Sequence, residues 1–179
     1  MKKVFTLATL MLAVVMTTSV SAQDFSGIDK SPMDMAAYPT DYKVSEKAVR
    51  IIYGRPQLKG RSMDELAPTG KVWRTGANEA PEITFYKDVN FGGKDIKAGT
   101  YSFFTIPGEE EWTVILNKNL NQWGSYFYDE SADVARVKVP NGSDSASLEE
   151  FSIAFKDANG GTSLVMGWDK TRIAVPITM

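Results

Sequence analysis

Apolar Val49, Ile51 and Tyr53 enclose Arg50 and Ile52, and the run stops at Gly54-Arg55-Pro56. Period-two alternation marks a strand with one buried face, because successive side chains on a pleated chain point to opposite sides. The same rhythm predicts strands over residues 83–86, 89–91, 134–139, 151–156, 164–168 and 173–177, with a short one near 95–96. An additional early strand is expected over 42–44. Residues 100–106 (TYSFFTI) are apolar or aromatic on both sides, which predicts a central strand, paired across Pro107-Gly108 with 112–116 (WTVIL). Turn signals separate these runs: Gly92-Gly93, residues 97–99, Asn159-Gly160-Gly161 and Asp169-Lys170. Pro176 lacks an amide hydrogen, so its run is expected at a sheet edge or to end there.

No window sustains a helical period. Ser62 is placed to cap one turn over 63–66, stopped by Pro68 and Gly70. Residues 141–147 (NGSDSAS) read as a solvated loop. These features predict an all-β chain: a single-domain antiparallel β-sandwich, or partly closed barrel, of about eight to ten short strands with little helix.

Lys2 and Lys3, the apolar stretch 4–16 and the small residues Val20-Ser21-Ala22 have the order of a secretory signal peptide, so 1–22 is expected to be removed on export to the periplasm or beyond. The stretch is too short for a membrane span, and no transmembrane segment is expected in the mature chain. Residues 23–40 lack periodicity and are expected to form an N-terminal arm lying across the sheet, with the β-sandwich domain over 41–179.

Charge narrows the chemistry. The chain carries 20 Lys and Arg against 22 Asp and Glu, interspersed, so nucleic acid is not an expected partner. It has no Cys and no His. Disulfides, thiol catalysis, Cys zinc sites and the serine triad's usual base are all excluded, and no cofactor or metal is expected. Oxygen-rich 141–145 and 157–160 lack the spacing of a calcium loop. Ser102, Thr105 and Ser125 lack an SxxK run, so no catalytic nucleophile is assigned.

Residues 53–78 hold five cations (Arg55, Lys59, Arg61, Lys71, Arg74) and only two acids, Asp64 and Glu65. Arg forks hold two carboxylate or phosphate oxygens at once. One loop face carrying Arg55, Arg61, Trp73, Arg74, Asn78 and Glu79 is therefore the expected ligand-binding site. The opposing reading has the same cations tying loops to carboxylates such as Glu79 and Glu82. Trp123 and Tyr126, in an expected loop, are candidate sugar platforms, whereas Trp112 and Trp168 are assigned to the core.

The runs YGRPQLKGR (53–61), GKVWRTGANEAPEITF (70–85), AGTYSFFTIPGEEEWTVILN (98–117), QWGSYFYD (122–129) and GWDKTRIAVPI (167–177) together resemble a secreted bacterial family catalogued as domain of unknown function 2911. The resemblance spans nearly the whole expected mature chain. It implies fold and export and transfers no activity. The expected function is thus non-enzymatic binding of a small polar or acidic ligand, a glycan or an envelope protein. The alternatives are a hydrolase of glycans or esters using carboxylates among Glu79, Glu82 and Asp129, and a structural envelope-associated domain.

Overall fold

The computed structural model describes residues 24–179; the expected signal peptide lies outside them. Two antiparallel sheets face each other, and no barrel closes. The first contains β1 (Met33–Tyr38), β2 (Val49–Gly54), β3 (Glu82–Phe85), β6 (Gly99–Ile106), β7 (Glu111–Asn117) and β8 (Asp133–Pro140), in that spatial order. The second has the order β5 (Lys94–Ile96), β4 (Val89–Phe91), β10 (Gly161–Thr178), β9 (Gly142–Ala158). The fold is the expected all-β sandwich.

The predicted alternation sorts side chains onto two faces. Val49, Ile51, Ile83 and Leu116 of the first sheet meet Leu164, Val175 and Ile177 of the second, all essentially without solvent contact. Fully burying each such side chain contributes about 1.5–3 kcal/mol. β6 and β7 are central, as expected, because Phe104 and Ile115 on their outer face are buried too, under a smaller cluster with Ala80, Val72, Ile106 and Tyr128. Loops 68–81 and 118–132 are thus drawn over the outside of the first sheet.

The expected helical turn is present as α1 (Met63–Leu66), with Ser62 and Glu65 forming a reciprocal capping box. β10 contains both of the last two expected runs and folds back at Asp169, whose φ is +45°. Its ends lie side by side, Gly161 against the Ile177 carbonyl and Gly167 against the Arg172 side chain. Pro176 is therefore not on an edge strand; its carbonyl accepts Gly92 N–H close to the strand's end.

Two other expectations are corrected. Residues 42–44 are not a strand; the early strand is β1, inside the expected arm, and pairs along all of β2. Its irregular sequence concealed it because non-local pairing, not alternation, makes it a strand. Residues 142–147 are solvent-exposed as expected but belong to β9, where Gly142 and Ser143 pair with Arg172 and Thr171. Arg172 holds this stretch, donating to the carbonyls of Ala146, Asp169 and Thr171.

Candidate functional site

At the Gly54 end of β2, on the outer side of the first sheet, lies a pocket of about 320 Å³. Its apolar floor is Met33, Ile52, Ala77, Ala80 and Pro81; Asp29, Ser31, Asn78, Glu79, Glu82 and Asn121 supply polar groups. Three segments far apart in sequence build it. The first, 29–33, is brought in by β1, whose Met33 pairs with Gly54. The second, 77–82, crosses Gly54 so closely that a Cβ there would lie 2.5 Å from the Ala77 carbonyl oxygen. Glycine at 54 is thus what lets the loop rest on the strand.

The third segment is zipped onto the second. Ala80 N–H donates to the Gln122 carbonyl, Gly124 N–H to the Asn78 carbonyl, and Glu79 forms a β-bridge with Trp123. The Asn121 N–H donates to Glu82 Oε1 at 2.8 Å. Asn78 (φ +61°), Asn121 (φ +57°) and Thr75 (φ +56°) all take left-handed backbone conformations. Asn tolerates this region, but a β-branched Thr there is an outlier. Thr75 is held by its fully buried hydroxyl, which donates to the Trp73 carbonyl at 3.2 Å and shares a hydrogen bond with Thr105 Oγ1 at 3.0 Å. Strain of about 1–3 kcal/mol persists where the surroundings over-determine it, commonly at binding sites.

Beside the pocket the same loop exposes Trp123 (57%), Tyr126 (79%) and Phe127 (75%). Trp123, more than half exposed and paired through its backbone with Glu79, is a flat apolar platform next to a pocket lined by carboxylates and amides.

The eight expected ligand-binding residues separate into distinct groups. Asn78 and Glu79 line the pocket, Trp123 and Tyr126 stand exposed beside it, and Arg74 is half-buried near Tyr126. The other three are elsewhere. Trp73 is 4% exposed, stacked on Trp168 at 5.5 Å with Phe151 edge-on at 5.2 Å, so it is core and cannot meet a ligand. Arg55 spends its guanidinium on Asp34 (3.1 Å), the Phe151 carbonyl and Ser152 Oγ (2.7 Å), tying β1 and β2 to β9. Arg61 donates to the carbonyls of Leu58 and Gln57 within its own turn. The reading in which these cations hold structure is the one that fits Arg55 and Arg61, although their partners are mostly carbonyls.

Asp29, Ser31, Met33 and Asn121 escaped sequence reasoning. The left-handed Asn121 beside QWG had a turn signal; the arm residues had none, since only the β1–β2 register delivers them. Of the carboxylates weighed for hydrolysis, Glu79 and Glu82 share the pocket, while Asp129 caps the Glu130–Ala132 turn by accepting from Ser131 N and Oγ. Among the described residues no group of three or more Asp or Glu is arranged to hold a metal ion, and no helix is long and apolar enough to cross a membrane.

A family model described as "Protein of unknown function (DUF2911)" matches residues 31–177. No curated protein and no solved structure matches the chain.

Proposed function

The chain belongs to the DUF2911 family, whose description assigns no activity, and on that premise we propose that it is an exported, non-enzymatic binding domain that takes a glycan at the 320 Å³ pocket and the adjoining Trp123 platform. The observation that carries this is the Glu79–Trp123 bridge, which sets an exposed indole against a pocket edged by carboxylate and amide side chains. A pyranose has an apolar C–H face and a rim of hydroxyls. The face gains by stacking on an indole, and the rim by donating to Glu79 and exchanging hydrogen bonds with Asn78 and Asn121. A bare anion is disfavoured in this pocket, because Asp29, Glu79 and Glu82 line it and no Lys or Arg does. Export is supported by the leader pattern of residues 1–22.

Calorimetric titration of the purified chain against a panel of neutral and acidic oligosaccharides tests the reading. Trp123→Ala is expected to weaken binding more than tenfold, about 1.4 kcal/mol, with an unchanged melting temperature. No binding across the panel, or binding indifferent to Trp123→Ala and Glu79→Gln, would refute it.

The hydrolase reading is favoured only by Glu79 and Glu82 sharing one pocket. Release of reducing ends by the wild type, lost in Glu79→Gln, would replace the binding reading with that one.

A further inference from the structure

All six arginines of the chain lie in described residues. Arg55, Arg61, Arg136 and Arg172 give their guanidinium hydrogens to named acceptors. Arg74, like Arg50, gives none: it makes no hydrogen bond or ion pair with a described residue, and its Nε is shut off from water without an acceptor. A half-buried cation left in this state forfeits solvation and receives nothing in exchange.

Its position accentuates the contrast. Trp73 bridges Thr105 and points inward, so alternation sends Arg74 to the outer face, the side on which Val72 packs against Phe104 and Ile115. Ile115 pairs in turn with Arg136. These two arginines thus flank one apolar patch of the sheet's outer face. Arg136 is satisfied there, with Asp133 Oδ2 at 2.8 Å, the Tyr128 hydroxyl at 2.9 Å and Glu130 at 3.4 Å. Arg74 instead lies near Tyr126, which belongs to the same exposed loop as Trp123.

We propose that Arg74 is the carboxylate-binding residue of the glycan site, so that the ligand is an acidic, uronate-type glycan whose ring lies on the 123–127 loop. This rests on the glycan reading above and adds the ligand's charge. A guanidinium fork matches a carboxylate's two oxygens, and the acid would supply the acceptors that the fold withholds. The carboxylates of the pocket then face the hydroxyl rim, while the anionic group is directed to the opposite end of the loop.

The test compares an oligogalacturonide with its fully methyl-esterified form, which keeps the rings and loses the charge, by calorimetry on the purified chain. The acid is expected to bind at least tenfold tighter than the ester. Arg74→Gln should abolish that ratio, with Arg74→Lys restoring part of it. Arg50→Gln is the control, since Arg50 also keeps an unpartnered Nε but sits between Ala37 and Thr84 on the sheet. Equal affinity for acid and ester, a ratio that survives in folded Arg74→Gln, or one lost only in Arg50→Gln, would overturn the proposal while leaving neutral-glycan binding intact. If neither form binds and the neutral panel also fails, the glycan reading falls and this inference falls with it.

Discussion

Trp73 occupies the centre of an aromatic cluster with Trp168, Phe151 and Trp112, its ring edge-on to Trp112 at 6.3 Å. Removing so large a buried ring leaves a void that neighbouring rings cannot fill, so Trp73→Ala is expected to cost about 3–5 kcal/mol in urea unfolding. Arg55 acts through hydrogen bonds. With its side chain about one-third exposed, Arg55→Met is expected to lose about 1–3 kcal/mol by the same measurement and to leave glycan affinity unchanged. Gly54→Ala drives a methyl toward the Ala77 carbonyl, so it is expected to lower both stability and affinity by displacing the loop that floors the pocket. Residue type alone could not separate Trp73 from Trp123, or Arg55 from Arg74. Each pair shares a chemistry, and only the partners differ.

At the scale of elements, charge is held in turns. Glu65 accepts from Ser62 N–H and Asp64 from Thr69 N–H around α1, and these hydrogen bonds hold both carboxyls below their ordinary values of 4.5 and 3.8. Asp129 is lowered likewise by Ser131, and Asp88 by Lys97. The unfolded chain therefore takes up protons first as pH falls. The stabilisation is present above about pH 4.5 and is lost as pH drops through the lowered native values; because these carboxylates are solvent-exposed, the melting temperature should fall modestly below about pH 4. With no His in the chain, it should stay nearly flat from about pH 6 to 8. Scanning calorimetry across buffers checks both arms. The strands that pack against the core announced themselves by alternation, and α1 by its cap. β1 did not, because an edge strand with an irregular, Met- and Ala-rich sequence is stabilised by its partner's ladder and not by its own pattern.

Across the whole molecule, one buried cluster runs through both sheets, so equilibrium unfolding is expected to be a single cooperative transition. Tryptophan reports on it unusually cleanly: Trp73, Trp112 and Trp168 are 2–4% exposed, and Trp123 is 57% exposed. Acrylamide should quench only one class of emission in the native protein, and Trp123→Phe should remove that class without moving the unfolding midpoint. Comparable quenching before and after that substitution would contradict the packing described here.

The linear order of residues was enough to determine the all-β class, most strand positions, the capped turn and the exclusion of thiol, imidazole and disulfide chemistry, because alternation, capping and composition act locally or simply by count. Tertiary structure alone decided which tryptophan is core and which is platform, which arginines are spent, and that residues near 29, 78 and 121 meet in one pocket. Those outcomes depend on strand order and on loops crossing a sheet face. Contacts between distant segments are set by the packing of the whole chain, and no short window of sequence contains them.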